Sequence, residues 1–188
     1  MTSSAIPRLT TERLLLRAWC DADLAPFAEL NANPHVMRYM PACLTRKESD
    51  AMVDRLRTHF TRHGFSLWAV EERVGGKFIG SVGLMAPRFE AFFTPCVEIG
   101  WRLAAPYWGR GFATEAARAA AEFAFERLNL PEIVSFTTVE NRASRRVMEK
   151  LGMTFETEFE HPALGAEHPL RPHVLYRLRN GEATAGAL

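Results

Sequence analysis

The Gly109-Arg110-Gly111 turn is the stretch of this sequence whose residue types most directly suggest chemistry. It lies between a β-rich segment that ends near Leu103 and a helical pattern that runs from about Gly111 to Leu128. A helix usually starts with Ser, Thr, Asp or Asn, whose side chains accept hydrogen bonds from the first free amides. Glycines at that place let backbone amides approach an anion, and the helix dipole adds positive charge. The turn therefore predicts an anion site, with a flexible surface loop as the competing interpretation.

Two common phosphate-binding motifs do not fit this turn. A Walker loop needs a Gly-Lys-Ser/Thr tripeptide, and the chain contains none. A dinucleotide-binding fingerprint needs a third glycine where this chain has Thr114, and the next suitably spaced acid, Glu132, begins a strand instead of ending one.

The composition is that of an ordinary soluble globular chain, with 188 residues, 47% hydrophobic and 24% charged. A formal net charge of +1 gives no global reason to expect nucleic acid or a membrane as partner. We find no signal peptide and no apolar run near the roughly 20 residues that span a bilayer. Because Cys20, Cys43 and Cys96 are odd in number and far apart, free thiols in the cytoplasm are expected.

Periodicity and capping signals predict the elements that position the turn. Helices are expected after Asp21, from Thr45 to Gly64, from Gly111 to Leu128 and from Asn141 to Leu151. Strands are expected at residues 13–19, 66–72, 77–85, 96–103, 132–139, 153–160 and 173–179. The order βααβββαβαββ predicts a mixed α/β (α+β) fold in one domain, residues 9–179, whose sheet is covered by about four helices. Residues 1–8 and 180–188 are expected to be flexible termini.

Three separated motifs carry a resemblance to a known family. They are "TERLLLR" at residues 11–17, "YWGRGFATEA" at 107–116 and "NRASRRVMEKLGM" at 141–153. Together they resemble the GNAT superfamily of N-acetyltransferases, and more narrowly the branch of ribosomal-protein N-terminal alanine and serine acetyltransferases. The resemblance extends from about Leu9 to Arg179 and implies a GNAT-like fold with a mixed, mostly antiparallel central sheet.

The resemblance implies that the anion is the pyrophosphate of acetyl-CoA, a cosubstrate, and it implies no metal. The family pattern Gln/Arg-x-x-Gly-x-Gly/Ala aligns with residues 108–113 but departs at its first position, where Trp108 replaces Gln or Arg, a replacement common in this branch. In the family, a strand splayed from its neighbour binds the pantetheine arm and supplies an oxyanion donor, and a basic helix residue meets the 3′-phosphate. The implied cofactor-binding residues are Trp101, Arg102, Leu103, Gly109, Arg110, Gly111, Phe112, Ala113, Thr114, Asn141, Ser144 and Arg146, with Arg110 adding charge at the mouth of the site.

Acetyl transfer to an amine needs a base, because an α-amine has a pKa near 8 and a lysine amine one near 10.4. Glu98 is the first candidate, since it lies in the strand that would hold the thioester. Glu158 and Glu160, on the next-to-last strand, are the rival bases.

The leaving thiolate needs a proton, and the sequence leaves its source open. Many relatives have a Tyr seven residues after the position of Asn141, but here that residue is Met148, which cannot donate a proton. Ser144 is the alternative in this branch, and direct protonation by water is equally tenable.

The resemblance implies an N-acetyltransferase with a protein N-terminus as leading acceptor, and the absence of a paired nucleophile and base favours direct attack. A small amine (amino acid, polyamine or antibiotic) is the alternative acceptor, and a non-catalytic acyl-CoA sensor is the alternative class. Tyr39 is expected to line the acceptor pocket, which the loops 34–45 and 161–172 would shape.

No metal site is predicted, because His59 and His63 lack the intervening glutamate of a zinc motif. Either a monomer or a homodimer fits the sequence.

Overall fold

The computed structural model describes residues 6–181. The predicted flexible termini, residues 1–8 and 180–188, therefore lie for the most part outside the described residues.

One eight-stranded sheet organises the described part of the chain, in the spatial order β1-β2-β3-β4-β5-β6-β8-β7. Neighbouring strands are antiparallel except for β5 and β6, which are parallel, so the predicted mixed and mostly antiparallel sheet is confirmed. The strands are Leu9–Thr10 (β1), Leu14–Arg17 (β2), Leu67–Glu72 (β3), Lys77–Met85 (β4), Glu98–Leu103 (β5), Glu132–Thr138 (β6), Thr154–Glu160 (β7) and Pro172–Arg179 (β8).

Five α-helices accompany the sheet over residues 6–181, where about four were expected. They are Leu24–Ala32 (α1), Pro34–Met37 (α2), Arg46–His63 (α3), Phe112–Glu126 (α4) and Arg142–Lys150 (α5), with 3₁₀ turns at Asp21–Asp23 and Ala105–Tyr107. The unexpected helix is α2. Asn33 and Pro34 follow the end of α1, as predicted, but they also begin this second short helix. The Asn33 side chain accepts from the His35 amide at 2.9 Å, and Pro34 occupies the first helical position. The two-residue strand β1 was also missed, since it is too short for an alternating pattern.

The core has two main parts, one on each face of the sheet. On one face α4 packs through its small side chains, and Ala116, Ala117, Ala120 and Ala124 are each fully buried. On the other face α1 and α3 pack around Trp19, Phe27 and Leu56. Because strand residues alternate between faces, Trp68 and Ala69 of β3 enter different core clusters. The layers leave one edge of β5 exposed in the middle of the sheet, where the candidate site lies.

Candidate active site

The middle of the sheet opens because β5 and β6 meet at one register position within the described residues, Glu98 opposite Val134. The Val134 amide donates to the Val97 carbonyl at 2.9 Å, and from there the two strands diverge. On the other side of β5, the Ala104 amide donates to Ile79 of β4, also at 2.9 Å. Two cavities occupy the opening between the diverging strands.

Alternation along β5 decides which backbone groups face the opening. Val97 points its carbonyl at β6 and Ala104 points its amide at β4, so odd-numbered residues offer their amides and carbonyls to the opening. The backbone amides and carbonyls of Trp101 and Leu103 therefore face the opening. The Leu103 carbonyl already accepts a hydrogen bond from the Trp108 indole at 2.7 Å. Arg102 turns its backbone to β4, where it pairs with Ser81 within the sheet, so its expected part in cofactor binding stays a prediction for the side chain. Only its side chain reaches the opening.

The first cavity, which we call the turn groove, has a volume of about 340 Å³ and follows the glycine turn. It brings together every residue predicted to bind the cofactor except Arg110. The predicted residues that line it are Trp101, Arg102, Leu103, Gly109, Gly111, Phe112, Ala113, Thr114, Asn141, Ser144 and Arg146.

The start of α4 leaves amides without internal partners. Gly111 is the N-cap residue, and with a φ of +80° it adopts the left-handed conformation that favours glycine. No side chain caps the helix, and the first backbone bond runs from the Glu115 amide to the Gly111 carbonyl at 3.0 Å. The amides of Phe112, Ala113 and Thr114 therefore point out of the helix end into the turn groove, as an anion site requires.

The side chain of Glu115 anchors this helix end to the beginning of the chain. It accepts from the Thr11 hydroxyl at 2.6 Å and from the Arg13 amide and Nε at 2.9 and 2.6 Å. Arg13 also donates through Nη1 to the Arg110 carbonyl at 3.0 Å, which fixes the turn itself. Partial burial opposes ionisation, but the bonds from Thr11 and Arg13 hold the pKa of Glu115 below its usual value. Sequence reasoning missed this anchor, because its partners are about a hundred residues apart.

Arg110, whose charge is expected at the mouth of the site, is paired within the described chain. Its Nη2 pairs with Glu72 at 3.1 Å, and its guanidinium covers the Phe112 ring at 4.5 Å. Arg110 is not among the residues that line the turn groove, so its role at the mouth stays a prediction. Arg38 and Lys150, which the sequence analysis did not name, line the groove, as does the predicted Arg146. Arg146 forms no ion pair or hydrogen bond with any side chain among residues 6–181.

The second cavity, which we call the Glu98 cavity, has a volume of about 360 Å³. Its wall includes Glu98 and Gly100 of β5, Ser135 and Thr137 of β6, and the 161–170 loop. The two cavities touch, since both are lined by Tyr39, Met40, Trp101, Arg102, Asn141 and Ser144.

Glu98 is the carboxylate that the fold places in this cavity. Burial raises the pKa of Glu98 to about 8, so at neutral pH the side chain is mostly protonated but close to losing its proton. The rival Glu158 and Glu160 lie on β7, are exposed and line neither cavity, and Glu160 pairs with Arg171 at 3.0 Å.

Asn141, Ser144 and Tyr39 meet at the junction of the cavities. Asn141 caps α5, because its side chain accepts from the Ser144 amide at 3.2 Å and donates to the Thr137 hydroxyl at 2.9 Å. The Ser144 hydroxyl forms no hydrogen bond within residues 6–181. The Tyr39 hydroxyl donates to the Glu140 carbonyl at 3.2 Å, which holds the segment after α2 against the start of α5. Met148, at the position where many relatives have Tyr, is fully buried in the core.

Two histidines, His161 and His173, form part of the Glu98 cavity wall with their ring centroids 4.8 Å apart. Burial lowers the pKa of both, so both are expected to be neutral at pH 7. Phe136 packs against both rings, which makes this wall largely aromatic.

Residues 6–181 contain neither a candidate metal site nor a candidate membrane-spanning helix. Their His, Cys, Asp and Glu side chains form no group of three or more that could hold a metal ion. None of their helices combines the length and the apolar character needed to cross a membrane.

Comparison with known proteins gives matches over most of the chain. A curated relative from Aspergillus fumigatus, "FsC-acetyl coenzyme A-N(2)-transacetylase", is 30% identical and aligns with 89% of this chain and 75% of its own. An acetyltransferase structure from Agrobacterium tumefaciens superposes with a TM-score of 0.77 at 30% identity, covering 94% of this chain and 96% of its own. The ribosomal-protein-S5-alanine acetyltransferase from Vibrio fischeri has a TM-score of 0.75 at 19% identity, with 94% and 98% coverage, which shows a shared fold.

The family model of the acetyltransferase (GNAT) domain matches residues 13–154. That range includes the glycine turn, both diverging strands and the start of α5, all of which contribute to the walls of the two cavities. The chain therefore belongs to the GNAT family of acetyltransferases, enzymes that use acetyl-CoA.

Proposed function

We propose that this acetyltransferase transfers the acetyl group by direct attack of a primary amine, with the α-amine of a protein N-terminus as leading acceptor. The observation that carries the proposal is the shared wall of the two cavities. Acetyl-CoA in the turn groove and an amine in the Glu98 cavity would meet at that wall. Holding both reactants there makes a bimolecular step effectively unimolecular.

The residues of the turn groove fit acetyl-CoA. The open amides of Phe112, Ala113 and Thr114 suit the pyrophosphate, and Arg146, a cation that lines the groove, suits a phosphate. The Trp101 backbone, turned to the opening, can pair with the amides of the pantetheine arm in the manner of an added strand.

The chemistry divides between the two sides of the junction. Glu98 accepts the proton that the amine must lose, and its raised pKa suits a base at neutral pH. A groove-facing amide of β5, from Trp101 or Leu103, stabilises the oxyanion. As the C–S bond breaks, the thiolate takes a proton from Ser144 or from water.

Two acceptor classes have support. The resemblance to ribosomal-protein acetyltransferases favours a protein N-terminus, and the fold neighbour from Vibrio fischeri carries that name. A small amine is the second candidate, because the Glu98 cavity is bounded by the 161–170 loop and the Aspergillus fumigatus relative is named for an N(2) acceptor. The described cysteines are free, which supports a cytoplasmic site of action for the 9–179 domain. Either a monomer or a homodimer fits the proposal.

A thiol-release assay with acetyl-CoA tests the proposal. The panel contains peptides with free N-terminal Ala or Ser, the same peptides with a blocked N-terminus and an internal Lys, and small amines. We expect turnover with the free N-termini and none with the blocked peptides, and mass spectrometry locates the acetyl group. Tight CoA binding without turnover on any amine would favour the acyl-CoA sensor instead.

A further inference from the structure

Arg102 is a cation in the acetyl-transfer site that the chemistry proposed above does not use. Its side chain lines both cavities. Nη1 donates to the Asn31 side-chain oxygen at 2.6 Å, and Nη2 contacts the Met40 sulfur at 3.4 Å. No Asp or Glu side chain among residues 6–181 pairs with it, and its buried Nε has no hydrogen-bond partner there.

The surroundings fix the guanidinium without neutralising it. Asn31 is fully buried on α1, and its side-chain nitrogen donates to the buried Ser49 hydroxyl at 2.9 Å. That bond turns the Asn31 oxygen toward Arg102. Burial lowers the pKa of Arg102 to about 10, so the group is still charged at neutral pH. A buried charge without a counterion is costly, so such a cation is typical of a site whose ligand supplies the anion.

Arg102 and Glu98 both border the Glu98 cavity, so the anion would bind between or beside them. Both side chains lie on the same face of β5, with Gly100 between them. A Cβ added to Gly100 would have one neighbour within 4 Å, a Glu98 carboxyl oxygen at 3.8 Å, so the floor of the cavity is open there. The Cα atoms of Glu98 and Arg102 are about 13 Å apart along the strand, at roughly 3.3 Å per residue.

We infer that the acceptor carries a carboxylate as well as its amine, and that Arg102 binds the carboxylate while Glu98 takes the amine proton. This inference rests on the proposed acetyl transfer. The amine nitrogen bonds to the acetyl carbon, the C–S bond breaks, Glu98 receives the amine proton, and the thiolate is protonated by Ser144 or water. The guanidinium fork matches a carboxylate in geometry and charge.

Two sources could supply this carboxylate, a free amino acid or an Asp or Glu side chain close to a peptide N-terminus. The first arm of the test therefore uses amino acids of increasing length between amine and carboxylate, each compared with its own carboxamide. The second arm uses peptides with a free N-terminal Ala followed by Asp or by Asn. In every pair the acceptor amine is kept. Because a nearby carboxylate raises the pKa of an amine, the rates are compared per concentration of neutral amine, so that the charge of the second group is the remaining difference.

The readout is the ratio of kcat/KM for the acid to that for its amide. We expect a ratio of about ten or more in at least one arm, the effect of one charge-assisted hydrogen bond. Arg102→Gln should bring the ratio close to one, and Arg102→Lys should restore part of it. Arg46→Gln is the matched control, because Arg46 pairs with Asp50 on the exposed side of α3 and touches neither cavity.

Equal use of acids and amides by the wild type would overturn the inference while leaving acetyl transfer intact. The inference would also be overturned if both Arg102 variants lowered kcat/KM for the acid and for the amide without changing their ratio. That is the result expected of an arginine with a purely structural role. A weaker CoA affinity at unchanged ratio would assign Arg102 to the cosubstrate and would likewise overturn it. Absence of turnover on every amine would contradict the proposed function and the inference with it.

Discussion

Glu98 of β5 and Val134 of β6 form the one paired position between these two strands in the described chain, and Glu98 faces the cavity that opens beyond it. The pairing fixes the carboxyl group at the closed end of the opening. Burial there raises its pKa to about 8. The same divergence of strands therefore creates the space for a substrate and adjusts the group that would deprotonate it.

The first prediction concerns the pH dependence of Glu98→Gln. A base must be ionised, so wild-type kcat/KM should rise with pH and level off above about pH 8. The variant should lose about 100-fold in kcat/KM and should lose this inflection. The assay uses an acceptor amine with a pKa well below 7, so that the titration of the amine does not overlap with that of Glu98.

Glu158→Gln is the matched control for that profile, because Glu158 is an exposed carboxylate outside both cavities. We expect it to keep the wild-type rate and inflection. If Glu98→Gln keeps them and Glu158→Gln does not, the base has been assigned to the wrong strand.

The second prediction is that Thr114→Glu prevents binding of CoA without unfolding the helix. A carboxylate in the first turn favours the helix by about 0.3–1 kcal/mol but repels a pyrophosphate. We expect the Kd for CoA to rise about tenfold or more, measured by calorimetry, since a like-charge contact near a surface costs ~1–4 kcal/mol. This change avoids Gly111, where a φ of +80° would make any side chain strain the backbone.

Thr114→Gln separates charge from size in that experiment. It has nearly the same shape as the glutamate and no charge, so it should bind CoA more tightly than Thr114→Glu. Equal affinities of the two variants would mean that no phosphate group lies at this helix end.

The third prediction concerns the proton for the thiolate. Ser144→Ala should lower kcat about tenfold or more while leaving the KM for acetyl-CoA nearly unchanged. The cap of α5 should survive, because Asn141 accepts from the Ser144 backbone amide and not from its hydroxyl. Steady-state kinetics decides the matter, and an unchanged kcat would leave water as the proton source.

The fourth prediction tests the packing that supports β5. An added Cβ at Gly83 of β4 would lie 2.3 Å from the Ser66 carbonyl oxygen and 2.8 Å from the Leu67 Cα. Since both neighbours are backbone, Gly83→Ala should lower the free energy of unfolding by about 3 kcal/mol or more. Gly165→Ala, with no atom within 4 Å, should change it by less than about 0.5 kcal/mol. Urea denaturation compares the two, and similar losses would contradict the packing.

Much of the fold follows from local signals in the sequence. Helix periodicity, the Thr45 capping box and the missing cap at Gly111 depend on residues within a few positions of one another, and the structure has each of them. Only short elements escaped, such as Pro34–Met37, which has too few residues to show a period. The family resemblance similarly rests on contiguous motifs.

Tertiary structure alone decided which residues of the site contact one another. No local pattern predicts that Arg110 pairs with Glu72, that Glu115 bonds Arg13, or that Arg102 turns its backbone to β4 and its charge into the cavity. These outcomes depend on strand order and register, which join residues far apart in the chain. The sequence by itself determined the uncapped glycine turn and the elements around it. The buried state of Glu98 and the unneutralised charge of Arg102 exist only because the sheet opens between β5 and β6.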